Sequence, residues 1–295
     1  MIRITALLVG VFVGNSLFGQ LNHDSLKNKL NKTIRKFDGT VGIAVIGIES
    51  GDTLTVHDSI HYPMQSVFKF PLALAVLAQV DNKQLDFNRK IHVTKADLQP
   101  DTWSPLRDSF PEGEIDLTIS ELLYYSVSMS DNNACDILFK VAGGPLVVSQ
   151  YIHELGIGDV EIAATEYDMT KSWDVQFTNW STPFAMAVML KDFQQHKYLS
   201  DEMTALLLKL MTESSNSDKR IKGSLDKSVV VAHKTGTSGT NDTGVLAAAN
   251  DVGIITLPNG NHVALVVFVS NTTEKMKDCE ALIARVAKLV YAEMK

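Results

Sequence analysis

The chain has 295 residues, 45% of them hydrophobic, and carries a formal net charge of −7. That length supplies a core large enough for one big domain or for two interleaved lobes. An acidic balance with no basic run argues against a nucleic-acid partner.

Residues 1–19 read as a secretory signal: Arg3, an apolar run from Ile4 to Val13, then small residues ending near Gly19. The run is short for a membrane span, and no cysteine follows it to take a lipid. The expectation is a mature protein that begins near Gln20, has no membrane anchor and works in the periplasm.

Leu26, Leu30, Ile34 and Phe37 form a helical stripe. Val41 to Ile48 is a β-branched run, Gly51-Asp52 a turn, and Thr53 to Val56 a returning strand. Ser66 opens the next helix, and Phe70 to Val80 are almost all apolar, so this helix is expected to be buried. Pro71 lies inside it, lacks a backbone donor and predicts a tight or kinked first turn. Residues 82–117 are polar, contain Pro100, Pro105 and Pro111, and read as loop with short pieces.

From Thr118 the pattern is helical, with Thr118 and Glu121 in capping-box spacing. Asn132 to Ala142 and Pro145 to Leu155 are helices closed by Gly143-Gly144 and Gly156. Residues 161–180 show no period, and an ordered loop of that length is usually functional. Thr182-Pro183 starts another helix, and Asp201 to Thr212 is a further one.

Strand signals return at Ser228 to His233, Gly244 to Asn250, Gly253 to Leu257 and His262 to Ser270, and an amphipathic helix follows from about Thr273. Strands at both ends and helices between predict an α/β fold of the α+β type. One antiparallel five-stranded sheet, residues 20–62 and 214–295, is flanked by terminal helices, and an all-helical lobe, residues 63–213, is inserted. Cys135 and Cys279 each sit in an apolar helical pattern, which favours buried thiols over a bridge. The eight histidines show no ligand-like spacing, so neither a metal nor a cofactor is expected. His233 reads as a sheet residue.

Three stretches carry chemistry. Ser66 and Lys69, three apart on a helix, share one face, where an amine can activate the hydroxyl as a nucleophile. The helix start adds free N–H groups and a positive field. Alone, the pair reads as a serine cap and a snorkelling lysine. Ser130-Asp131-Asn132 alone is a helix cap, and Lys234-Thr235-Gly236 alone a strand end. All three in this order are a known signature.

On these residues the chain resembles the class A serine β-lactamases over essentially its whole mature length. The resemblance implies that Ser66 is acylated and Lys69 is its proton partner. It implies that Ser130 protonates the leaving nitrogen and Asn132 binds the acylamide side chain. Lys234, Thr235 and Thr237 would take the substrate carboxylate, with Gly236 between them. The N–H groups of Ser66 and Thr237 would form the oxyanion hole. Glu166, in the long loop, would orient the water that hydrolyses the acyl-enzyme. Trp103 would line the mouth, and Arg220 matches a position from which some members reach the carboxylate pocket.

There are departures. Thr170 stands where many members have an asparagine, Gln65 where many have cysteine, and Ala164 and Asn179 where many have an arginine–aspartate clamp. These resemble the subclass A2 branch and leave the loop to be held by Asn179 and Trp180. A monomeric hydrolase of penicillins and cephalosporins is expected, and with it antibiotic resistance. The rivals are a penicillin-binding D-alanyl-D-alanine peptidase and a sensor domain that stays acylated.

Overall fold

The structure, a computed structural model, describes residues 23–214 and 218–295. The expected signal at residues 1–19 lies outside them. Among the described residues no helix is long and apolar enough to cross a membrane.

The chain opens with α1 (His23–Ile34), β1 (Thr40–Gly47), β2 (Thr53–Val56) and the short β3 (Tyr62–Pro63). The inserted segment carries α2 (Lys69–Asp81), β4 (Lys90–Thr94), α3 (Pro105–Ser109), β5 (Gly113–Thr118) and α4 (Ile119–Leu123). It continues with α5 (Asn132–Ala142), α6 (Pro145–Glu154), β6 (Val160–Glu161), α7 (Glu166–Met169), β7 (Trp180–Ser181), α8 (Pro183–Gln194) and α9 (Asp201–Thr212). The chain returns as β8 (Val231–Thr237), β9 (Leu246–Thr256), β10 (His262–Thr272) and α10 (Met276–Met294).

Both ends build one five-stranded antiparallel sheet in the order β2-β1-β10-β9-β8. Side chains alternate across it. Ile43, Val45, Val263 and Leu265 pack with Leu26, Leu30, Ile283 and Val286 of the terminal helices. Ala44, Ile46, Ala264 and Val266 pack with Phe70, Met186 and Leu190 on the side of the insert. A strand buried on both faces reads as a continuous apolar run, as Val41 to Ile46 does. Cys135 and Cys279 are free buried thiols in different cores.

The expected pieces 244–250 and 253–257 are one strand, β9. Its interior Asn250-Asp251 looks like a turn in sequence, yet both side chains are fully buried and hydrogen-bonded. β8 likewise runs through Lys234-Thr235-Gly236 instead of ending before it. Residues 82–117, read as loop, contain the hairpin β4–β5 and helix α3. Ile91 and Val93, and Ile115 and Leu117, do alternate with polar residues, but over strands of only five and six residues. The insert, expected to be all-helical, therefore carries strands: besides the hairpin it supplies β6 and β7, which pair with β3 in the small sheet β3-β7-β6, too short to leave a periodic signal.

Candidate active site

Pro71 is the third residue of α2, in the first turn, where no backbone donor is needed. A 3-10 turn, Gln65–Phe68, precedes it, and Ser66 sits in that turn. Gln65 takes φ 49°, an uncommon value for a side-chain-bearing residue. On the far side of the cleft, α4 passes into a π-helical turn, Tyr124–Ser128, and Ser130 takes φ 56°. Such conformations persist only where surroundings over-determine them. Here the Ser130 carbonyl accepts from Lys69 at 3.0 Å, and the Ser130 hydroxyl accepts from Lys234 at 2.8 Å.

Lys69 is fully buried and faces four acceptors. Its Nζ donates to Asn132 Oδ1 at 2.6 Å, Ser66 Oγ at 3.0 Å and Ser130 O at 3.0 Å, and pairs with Glu166 Oε1 at 2.7 Å. Ser66 Oγ donates to Glu166 Oε1 at 3.4 Å. A nucleophile-type hydroxyl, an amine and a carboxylate therefore meet at one point, reached from three separate elements. Asp131 keeps the ordinary role expected of its stretch. Buried, it caps α5 through Ala134 N (2.8 Å) and also holds Leu106 N (2.6 Å) and Ser104 Oγ at the start of α3. That fixes the segment bearing Trp103, whose indole N–H donates to Met129 O at 3.0 Å.

A cleft of about 710 Å³ is lined by Ser66, Trp103, Ser130, Asn132, Thr235 and Thr237. A Cβ at Gly236 would lie 2.3 Å from Met64 O, so only glycine lets β8 approach the turn that carries Ser66. Lys234 is fully buried, and burial, with the charge of Lys69, brings its amine down to about 7. Arg220 is buried as well. Its Nη1 donates to Gly236 O and Asn250 O and its Nη2 to Thr237 Oγ1 at 2.6 Å, so it joins the site.

A second cavity, of about 490 Å³, is lined by Asn132, Asp136, Glu166, Tyr167 and Thr170 among others. Thr170 reaches it, but its hydroxyl proton goes to Tyr167 O at 2.7 Å. Asn132 gives an amide N–H to Thr102 Oγ1 at 2.7 Å. Asp168, the nearest other acid in sequence, is turned away. It closes a capping box with Thr165 and pairs with Lys171 at 2.6 Å, which holds its carboxyl below the usual range.

The loop is held as the departures required. Asn179 is fully buried and bridges Ala163 N (2.8 Å), Ala164 N (2.9 Å) and Ala164 O (2.8 Å), while Trp180 stacks on His61 at 3.5 Å. Two anchors were not expected from sequence. Asp136 accepts from Glu166 N (2.8 Å) and Tyr167 N (2.9 Å), and burial beside the Glu166 charge pushes its carboxyl up to about 7. Gln65 donates to Gln176 at 2.6 Å, joining the Ser66 turn to the loop. Asp136 follows Asn132 by one helical turn on α5, a same-face signal available in sequence. The Gln65–Gln176 pair has no such signal.

Residues 25–294 match the family model described as the Beta-lactamase enzyme family. The chain is 40% identical to Beta-lactamase VEB-1 of Pseudomonas aeruginosa over 98% of this chain and 96% of that protein. It is 41% identical to the Extended-spectrum beta-lactamase PER-1 of the same organism over 90% of this chain and 86% of that protein. The crystal structure of TLA-3 extended-spectrum beta-lactamase superposes with a TM-score of 0.91 at 47% identity, covering 92% of this chain and 100% of that one. A beta-lactamase from Chitinophaga pinensis superposes with a TM-score of 0.89 at 48% identity, covering 91% and 98%.

Proposed function

From the premise that the chain belongs to the beta-lactamase enzyme family, in its class A, we propose that it opens the amide of penicillins and cephalosporins through an ester on Ser66. β-Lactam hydrolysis by this enzyme destroys the antibiotic and gives resistance to it. The observation that carries the serine reading is the meeting of Ser66 Oγ, Lys69 Nζ and Glu166 Oε1 within 3.4 Å of one another.

In the first half-reaction Ser66 Oγ attacks the lactam carbonyl and gives its proton to the Lys69–Glu166 pair, both members of which it touches, so that Lys69 can still take it where Glu166 is lost. The backbone N–H groups of Ser66 and Thr237 receive the oxyanion. Ser130 gives its proton to the leaving nitrogen as the C–N bond breaks; the proton taken from Ser66 passes through Lys69 back to Ser130, which leaves Glu166 a free carboxylate again, and Lys234 holds Ser130 in place at 2.8 Å. Lys234, Thr235, Thr237 and Arg220 take the substrate carboxylate, and Asn132 takes the acylamide. In the second half-reaction Glu166 removes a proton from water, which attacks the ester, and passes that proton to the departing Ser66 oxygen. Trp103, more than half exposed, borders the entrance. The enzyme acts as a periplasmic monomer without a metal or cofactor, a reading supported by the signal-like residues 1–19 and the chemistry of the side chains present. Two relatives are named extended-spectrum β-lactamases, which supports cephalosporins among the substrates.

Mixing the protein with a chromogenic cephalosporin tests the reading. Sustained turnover is expected. One equivalent released and then silence would favour a sensor, and cleavage of D-alanyl-D-alanine peptides without β-lactam turnover would favour a peptidase.

A further inference from the structure

His233 and Asp251 form a fully buried pair that the chemistry above does not use. His233 Nδ1 lies 2.9 Å from Asp251 Oδ1 and 3.0 Å from Oδ2. A carboxylate offers only acceptors, so Nδ1 carries the proton. The two residues lie on one face of the sheet, because Asp251 is opposite Thr235 and His233 is two residues before it. His233 itself is opposite Gly253, where any Cβ would fall 2.6 Å from the Cβ of His233 and from Ala232 O. Glycine there gives the imidazole its space.

The pair is wired to the cationic side of the cleft. Asp251 Oδ2 accepts from Ile221 N at 3.0 Å, the residue directly after Arg220. Arg220 in turn reaches Gly236 O, Asn250 O and Thr237 Oγ1. The negative charge of Asp251 favours the cationic form of Arg220 and, after that of Glu166, the cationic form of Lys234. Two buried cations near each other are costly without a counter-charge.

We propose that Asp251, held by His233, is a positioning residue of the carboxylate subsite: it fixes the turn that carries Arg220 and supplies the buried counter-charge for Arg220 and Lys234. This rests on the reading of Arg220 as part of that subsite. His233 sets the Asp251 rotamer, and Asp251 sets Arg220. Neither touches the substrate.

The test compares benzylpenicillin with its methyl ester, which lacks the carboxylate charge. The ratio of kcat/KM for acid over ester reads the subsite alone. Arg220→Ala must lower the ratio, and an unchanged ratio there defeats the reading of Arg220 and not the wiring. With that established, Asp251→Asn keeps the size of the side chain and removes the charge. It is expected to lower the ratio by about tenfold through KM for the acid, the loss typical of a hydrogen bond to a charged group. The double variant with Arg220→Ala should fall no further than Arg220→Ala alone. His233→Asn puts an amide donor where Nδ1 stands and should keep the ratio, whereas His233→Leu should lower it. A folded Asp251→Asn protein with the wild-type ratio overturns the proposal. If Asp251→Asn does not fold, a folded His233→Leu protein with the wild-type ratio does the same.

Discussion

Lys69 Nζ lies 2.7 Å from Glu166 Oε1, and neither side chain is more than 9% exposed. The pair spans two elements, α2 and the loop that leads into α7, so the lysine one turn after Ser66 also holds the carboxylate that faces Ser66. Removing one member of a buried pair leaves the other uncompensated, at a cost of roughly 3–5 kcal/mol. Substitutions here are therefore read by chemistry and by stability together.

Ser66→Ala deletes one hydroxyl from a 3-10 turn and little packing. The fold should persist and covalent labelling by penicillins should vanish. Intact mass spectrometry decides this, and a β-lactam adduct on the Ser66→Ala protein would remove Ser66 from the mechanism.

Glu166→Gln preserves the size of the side chain and removes the proposed base. Loss of a positioned general base costs roughly 10²–10⁴-fold in the step it serves. The variant should accumulate an adduct of one substrate mass that persists for an hour, with almost no turnover. Turnover near the wild-type rate would point to another base. Asp168 is a poor substitute, because its carboxylate is taken by Thr165 and Lys171.

Asn179→Ala removes the partners of Ala163 N, Ala164 N and Ala164 O in a buried place. Each buried group left unsatisfied costs about 1–3 kcal/mol. The melting temperature should fall, and deacylation should slow more than acylation because Glu166 rides on this loop and Ser66 does not. Pre-steady-state rates unchanged in both steps would show that Asp136 and the Gln65–Gln176 pair suffice to hold it.

Lys234 carries the pH dependence. Burial and Lys69 lower its amine to about 7, while Glu166 and Asp251 act the other way and Arg220 adds to the lowering. A base with a lowered pKa is charged below that value and neutral above it. Under the proposed mechanism, the cation offered to the substrate carboxylate is therefore lost as pH rises, and kcat/KM should decline on an alkaline limb far below the ordinary lysine range. Lys234→Arg, whose guanidinium stays charged, should move that limb upward even with a lower maximum. A profile for the wild-type enzyme that stays flat to pH 10 would contradict this account.

The sequence by itself determined the parts whose signals are local. Ser66 and Lys69 are one turn apart, Thr118 and Glu121 form their box three residues apart, and β1 and β10 announce themselves as apolar runs. The order of the three motifs was enough to single out Ser66, Lys69, Ser130 and Lys234, which the structure brings within hydrogen-bonding distance of one another in turn. Tertiary structure alone decided what joins residues distant in the chain. It turned Asn250-Asp251 from an apparent turn into the interior of β9, because Asn250 donates to Pro63 O and Asp251 pairs with His233. It gave Asp136 the N–H groups of Glu166 and Tyr167, and Gln65 the amide of Gln176, separations of 30, 31 and 111 residues. A buried polar side chain is tolerated only with a partner, and which partner it meets depends on the packed arrangement of elements, not on its neighbours in sequence.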